Sequence, residues 1–249
     1  MEDTLVQKLD FLSLNWLTEN WDAVMKEATK GKRSYSRFLS EIVDEEYHHK
    51  SERKRNARLK AAKIPEMLVM ETFPFTKQPK LKKRMAMELY DSMSYIHQNQ
   101  TLCLIGPTGC GKSGLATAYL MHAINQGYRG LYISFSELIT MLYQSAADYS
   151  ERKVLKRLAL LDCLLIDELG YRIVNKDEAG LFFELMKMRH KKACTIITTQ
   201  LGFDEWRSFL RDKHLVMAIV DRITENCTVF NMKDCISIRP KNIKQAAEK

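Results

Sequence analysis

Gly106-Pro107-Thr108-Gly109-Cys110-Gly111-Lys112-Ser113 decides the reading of this chain. The stretch has the form G-x-x-x-x-G-K-[ST]; it follows the apolar run Leu102-Cys103-Leu104-Ile105 and opens into a helix-patterned segment, 113–126. Strand, glycine-rich turn and helix in that order make a phosphate cradle. Glycines let successive backbone N–H groups turn inward onto phosphate oxygens, and the positive end of the following helix adds to the attraction. In such a loop Lys112 reaches the β- and γ-phosphates and the Ser113 hydroxyl ligates Mg2+, so ATP and Mg2+ are the expected ligands.

From residue 101 onward the chain alternates strand and helix. Strands are expected at 102–105, 131–134, 161–167, 194–199 and 228–231, and helices at 113–126, 136–147, 151–159, 177–190, 203–210 and 213–223. Alternation with short loops is the pattern of an α/β domain, a parallel sheet with helices on both faces. The third strand closes on Leu164-Leu165-Ile166-Asp167-Glu168. A buried strand ending in two carboxylates must turn them toward a cleft holding something cationic or reactive. Asp167 fits the acid that holds Mg2+, usually through water, and Glu168 the group that polarises an attacking water.

The fourth strand runs Thr195-Ile196-Ile197-Thr198-Thr199 into Gln200. Functional side chains in a parallel sheet gather at the C-terminal strand ends. Thr199 or Gln200 therefore stands beside a γ-phosphate, or Gln200 simply begins a polar loop. Val220-Asp221-Arg222 closes an apolar helix, and two readings of Arg222 stand side by side. It is a finger completing a neighbouring subunit's site, or it pairs with charges around Asp221.

Ahead of this domain the chain is helical, with no strand signal in residues 1–66. Leu5, Leu9 and Leu12 recur at helical spacing and continue through Leu17 and Trp21; a turn is expected at Gly31-Lys32-Arg33. Ser34 is placed to cap a second helix whose apolar stripe is Tyr35, Phe38, Leu39, Ile42, Val43 and Tyr47. The same helix continues through 50–63, with seven basic residues against the single acid Glu52; that run is a solvated face or a nucleic-acid contact. Residues 67–84 read as a linker around Phe73-Pro74-Phe75, too short and proline-broken for a strand or helix. Its two aromatics pack on a purine ring or dock on the domain surface. The organisation expected is a helical partner or assembly module (1–66), the linker (67–84) and an ATPase domain (85–249) that opens with a helix at 85–98.

The 249 residues are 45% hydrophobic and 28% charged, an ordinary globular composition. The net charge of +8 favours a polyanionic partner such as nucleic acid, and basic clusters fall at 50–63, 77–84 and 187–192. No apolar run reaches membrane-spanning length, and the first residues lack the basic region of a signal peptide, so a cytoplasmic protein is expected. The six cysteines contain no C-x-x-C pair and sit mostly in apolar runs, as buried thiols do; the six histidines show no ligand spacing.

The phosphate loop, Asp167-Glu168-Leu169-Gly170-Tyr171 and Ile197-Thr198-Thr199-Gln200 together resemble the IstB-type transposition helper ATPases. These are AAA+ proteins related to the DnaC and DnaI helicase loaders. Phe203-Asp204-Glu205-Trp206, Ala218-Ile219-Val220-Asp221-Arg222 and the Phe73-x-Phe75-x-x-Gln78-Pro79 linker match as well. The resemblance implies an AAA+ core with little or no C-terminal lid. It implies ATP-driven homo-oligomers on duplex DNA, which is bent and offered to a partner transposase; the basic clusters, with no helix-turn-helix signal, point to DNA binding without sequence preference. Gln200 falls at the sensor position, more often Asn in the family, and Arg222 at the arginine finger, so that active sites form between subunits. Phe73 and Phe75 fall near adenine. Ser237-Ile238-Arg239 stands where the family has Ser-Tyr-Arg, which makes Arg239 a second nucleotide sensor. A replicative helicase loader shares the whole core and is the nearest alternative; a P-loop kinase and a non-hydrolysing ATP switch are further ones.

Overall fold

A computed structural model of the chain describes residues 3–30, 34–78 and 80–238. The chain divides between Ala57 and Arg58 into two units. The first holds α1 (Asp3–Phe11), α2 (Asn15–Lys30) and most of α3 (Tyr35–Ala61). The apolar spacing from Leu5 to Trp21 predicts one continuing helix, but Ser13 takes a left-handed φ of 55° and separates α1 from α2. The Leu17 N–H, orphaned in the first turn of α2, is taken up at 3.1 Å by the buried Glu46 carboxylate of α3. Ser34 caps α3 as expected, its Oγ accepting from the Arg37 N–H at 3.3 Å. The turn expected at 31–33 lies outside the described residues. On α3 the apolar stripe divides: Phe38 and Ile42 are half-buried, while Tyr35, Leu39, Val43 and Tyr47 are exposed.

The second unit takes in the last turn of α3, which moves the boundary expected at 66/67 back to 57/58. Ala62 is fully buried there, and its carbonyl accepts the Tyr132 N–H at 2.8 Å. The linker forms two short 3-10 turns, Met70–Thr72 and Phe75–Lys77. The single helix expected at 85–98 is two, α4 (Lys83–Ser92) and α5 (Ser94–His97), because Met93 adopts φ 53° and ends the first. The alternating run comes next: β1 (Thr101–Ile105), α6 (Lys112–Asn125), β2 (Gly130–Ser134), α7 (Phe135–Ala147), α8 (Glu151–Ala159) and β3 (Cys163–Leu169). Then come α9 (Lys176–Arg189), β4 (Cys194–Thr199), α10 (Arg207–Leu210), α11 (Lys213–Thr224) and β5 (Cys227–Asn231). The helix expected at 203–210 opens as a 3-10 turn, Phe203–Trp206, before α10.

The five strands are parallel in the order β2-β3-β4-β1-β5. Side chains alternate to the two faces, and each face has its own apolar layer. Leu102, Leu104, Leu165 and Ile196 meet Leu115, Tyr119 and Leu120 of α6. Cys103, Ile105, Leu164, Ile166 and Ile197 meet Leu138, Phe182 and Ile219 of α7, α9 and α11. Five of the six cysteines are buried and Cys227 is partly so, as the apolar runs implied. Among the described residues, no helix is long and apolar enough to cross a membrane.

Two corrections bear on function. β3 runs to Leu169 rather than 167, and its register with β4 slips between Ile166 and Leu169. The basic cluster at 187–192 is also only partly open: Lys187, Lys191 and Lys192 are exposed, but Arg189 is not available to a partner. Arg189 is buried, with its guanidinium donating to the carbonyls of Leu158 (2.7 Å), Leu161 (2.9 Å) and Cys194 and to Thr195 Oγ1 (3.0 Å). Burial pushes it down to about 10, still charged at neutral pH. Lys187 pairs with Glu184, and His190 and Lys191 with Glu225. Arg53, Lys54, Arg55, Lys60 and Lys63 of the first cluster, and Lys80, Lys82, Lys83 and Arg84 of the second, are exposed, with Lys80 paired to Asp234 and Arg84 to Glu88.

Candidate active site

β1 ends at Ile105, and the loop 106–111 carries the chain from the C-terminal end of this interior strand into α6. Gly106 donates to the Thr199 carbonyl at 3.1 Å, tying the loop to the end of β4. No side chain fits at Gly106, where a Cβ would lie 2.7 Å from the Met232 carbonyl oxygen. Gly111, at φ 99°, turns the chain into α6, and a Cβ there would meet Phe73 at 2.9 Å. Behind the loop, buried Gln78 donates to the carbonyls of Cys110 (2.9 Å) and Ile236 (2.6 Å) and accepts from the Ile236 N–H (3.1 Å). Ile238 N–H bonds the Gly109 carbonyl at 2.9 Å. Linker and C-terminal segment thus brace the loop from outside the sheet. Cys110 is fully buried and Pro107 exposed.

A cavity of about 260 Å³ opens over the loop. Thr108, Gly109, Gly111, Lys112 and Ser113 line one side, Glu168, Tyr171, Thr198 and Thr199 another, and Leu68, Val69, Phe73 and Ile238 a third. A phosphate-binding loop, two strand ends and an apolar flank make a polar floor with an apolar wall, the division a nucleotide requires. Lys112 is buried, with Nζ bonded to the carbonyls of Gly106 (2.7 Å) and Pro107 (2.8 Å). A cation folded onto two carbonyls beside a glycine cradle fits a binder of phosphate oxygens. Ser113 Oγ donates to Asp167 Oδ1 at 2.9 Å, which brings a hydroxyl and a carboxylate together at the helix start. Two hard oxygen donors of this kind fit Mg2+.

The slip in register separates the two acids. Asp167 is buried on the α6 face, accepting from Ser113, from Thr198 Oγ1, and at Oδ2 from the Tyr132 hydroxyl at 2.7 Å. Glu168 takes φ 58°, so its side chain leaves the strand alternation and lines the cavity, while its N–H donates to Thr198 Oγ1 at 3.0 Å. Thr198 therefore joins the backbone of one acid to the carboxylate of the other. Burial and donation to Asp167 raise the Tyr132 phenol, so it is a hydrogen donor throughout the physiological range.

The other expected residues are partly gathered. Gln200 donates through Nε2 to Thr108 Oγ1 at 2.5 Å, and the Tyr171 hydroxyl lies 3.3 Å from the same oxygen, so Gln200 is held at the rim of the loop. Phe73 lines the cavity, but Phe75 does not; it packs edge-to-face on Phe73 with centroids 4.8 Å apart and has Lys83 Nζ over its ring. Arg222 is not among the lining residues. Its guanidinium sits 4.9 Å over the Phe183 ring and donates to the Ala218 carbonyl at 2.8 Å, and among the described residues it forms no ion pair. Arg239 lies outside the described residues. Sequence reasoning assigned no role to Thr198, Tyr132 or Gln78. Thr198 sits one residue from the position read as functional, and Gln78 lies in the aromatic linker motif, but nothing local marks Tyr132.

A parallel sheet in this order, with the phosphate loop after β1 and the acid pair at the end of β3, defines a P-loop NTPase of the AAA+ class. The crystal structure of the DnaC helicase loader shares the fold, with a TM-score of 0.53 and 22% identity over 63% of this chain and 90% of that one. The chain belongs to the family of IstB-like ATP binding proteins, whose model matches residues 7–246. It is 31% identical to the ATP-binding protein of insertion sequence IS21 from Pseudomonas aeruginosa, over 90% of this chain and 84% of that one. The corresponding protein of IS5376 from Geobacillus stearothermophilus is 29% identical over 100% and 99%.

Proposed function

We propose that this chain is an ATPase of the transposition-helper type. It hydrolyses ATP with Mg2+ at a site shared between subunits, assembles as a homo-oligomer on duplex DNA, and recruits a partner transposase. The observation that carries the reading is that the phosphate loop and Glu168 open onto one cavity while Arg222 stands outside it. The insertion-sequence names of the relatives support transposition over helicase loading. The exposed basic residues of 50–63 and 80–84 support phosphate contacts that hold duplex DNA without reading its bases.

In the reaction Lys112 exchanges the two loop carbonyls for β- and γ-phosphate oxygens. Ser113 and Asp167 would hold Mg2+, which when bound neutralises phosphate charge. Glu168, aimed into the cavity, accepts a hydrogen bond from the attacking water and directs it at the γ-phosphorus; the bond to the β,γ-bridging oxygen breaks, ADP leaves, and the water's proton ends on the released phosphate. Gln200 leaves Thr108 to contact the γ-phosphate, and Phe73 with Leu68 and Val69 flanks the base. Arg222 from a neighbouring copy stabilises charge in the transition state. The helical module serves assembly or partner contact.

Mixing inactive variants tests the shared site. Arg222→Ala and Lys112→Ala are each expected to lose ATP turnover, and an equimolar mixture on duplex DNA to regain part of it. No recovery on mixing, an ATP-loaded protein that stays monomeric, or duplex DNA left unbound at low salt counts against the proposal.

A further inference from the structure

The Asp167 carboxylate is gripped at both oxygens, and one grip comes from a strand outside both nucleotide motifs. Oδ1 accepts from Ser113 and Thr198, residues of the loop–helix start and the β4 end; Oδ2 accepts from Tyr132 of β2. Tyr132 stands opposite Leu165 in the β2/β3 register and packs in the apolar layer that faces α6. Residues 163, 165 and 167 alternate onto that same face. The Tyr132 ring therefore runs along the sheet and places its hydroxyl two residues further on, at Asp167. The terminal torsion of an aspartate is broad and roughly two-fold, so contacts at Oδ1 alone leave the carboxylate plane free to turn. A donor on the opposite oxygen removes that freedom. Neither Asp167 nor Tyr132 is among the residues that line the cavity; Asp167 meets it through Ser113 and Thr198, which are, and Tyr132 stands one contact further back.

We propose that Tyr132 is a positioning residue for the cation side of this site: it fixes the Asp167 carboxylate so that Oδ1 stays beside the Ser113 hydroxyl. The inference rests on the reading of Ser113 and Asp167 as the residues that would hold Mg2+. It requires that loss of the phenol oxygen weaken capture of the divalent cation while leaving the metal-free affinity for nucleotide alone. A purely structural tyrosine would lower both together.

Tyr132→Phe keeps the ring in its layer and removes only the hydroxyl. Binding of a fluorescent ATP analogue is measured with EDTA and across a Mg2+ titration, for wild type, Tyr132→Phe, Asp167→Ala and the double variant. In EDTA, wild type and Tyr132→Phe are expected to bind alike. The half-saturating Mg2+ concentration should rise roughly tenfold in Tyr132→Phe, the lower end of what loss of a partner that orients a metal-holding carboxylate costs in metal affinity. Added to Asp167→Ala, the same substitution should change nothing further. An unchanged Mg2+ midpoint in Tyr132→Phe, an equal loss in EDTA, or a further rise in the double variant overturns the inference alone. A wild-type chain whose nucleotide binding ignores Mg2+ overturns the cation-site reading and this inference with it.

Discussion

Replacing Thr198 with valine tests the arrangement that separates the two acids. Thr198 is 1% exposed, so valine fills the same space and deletes only the hydroxyl. That hydroxyl donates to Asp167 and accepts from the Glu168 N–H at 3.0 Å. Loss of a hydrogen bond to a charged group costs about 1.5–3 kcal/mol, and an N–H left without an acceptor about 1 kcal/mol more. Asp167 keeps its bonds from Ser113 and Tyr132, which holds the total near 2–4 kcal/mol. Catalysis should suffer as well. Glu168 is held at φ 58°, a conformation costing a non-glycine residue about 1–2 kcal/mol, and Thr198 is what pins it there. Once released, the backbone relaxes and the carboxylate loses its aim into the cavity. Phosphate release at saturating ATP should fall by roughly 10- to 100-fold, at 1.36 kcal/mol per decade. Urea unfolding and steady-state phosphate release measure the two effects. Stability within about 0.5 kcal/mol of wild type together with normal turnover would refute the account of Thr198 as the pin.

Two further outcomes concern groups away from the cavity, the buried Arg189 and the half-buried His122. Arg189→Met leaves the carbonyls of Leu158, Leu161 and Cys194 without their donor, and denaturant unfolding should show a loss of about 3–5 kcal/mol. Burial lowers the pKa of His122, which stacks on Tyr90 at 3.9 Å, so the unfolded chain takes up a proton there before the folded chain does. Its contribution to stability is complete above the ordinary histidine value of about 6.5 and is lost as pH falls through that value toward the lower folded one. Thermal unfolding of His122→Phe between pH 7 and pH 5 should therefore fall less steeply than that of wild type.

The phosphate loop was legible because its chemistry is local. Glycines at fixed spacing, a lysine and a hydroxyl act through the backbone of one turn, and the strand and helix around it are coded by period. The β3 and β4 ends were legible for a related reason: charge or polarity at the end of an apolar run has few places to go. Helix breaks at Ser13 and Met93 were not, since neither is a glycine or proline and each left-handed turn depends on how the next helix packs. Arg189 looked like part of a basic patch; only packing shows that four acceptors converge on it. The two linker aromatics are equivalent in sequence and divided in space, Phe73 on the cavity wall and Phe75 behind it.

By itself the sequence determined a P-loop between a strand and a helix in a parallel α/β domain, because loop geometry and strand period are properties of neighbouring residues. The tertiary structure decided where the two carboxylates point. One slipped residue in the β3/β4 ladder sends Glu168 into the cavity and leaves Asp167 against α6. The contacts that hold the two acids in these positions come from Thr198 and Tyr132, on strands 30 or more positions away along the chain, which no local pattern encodes.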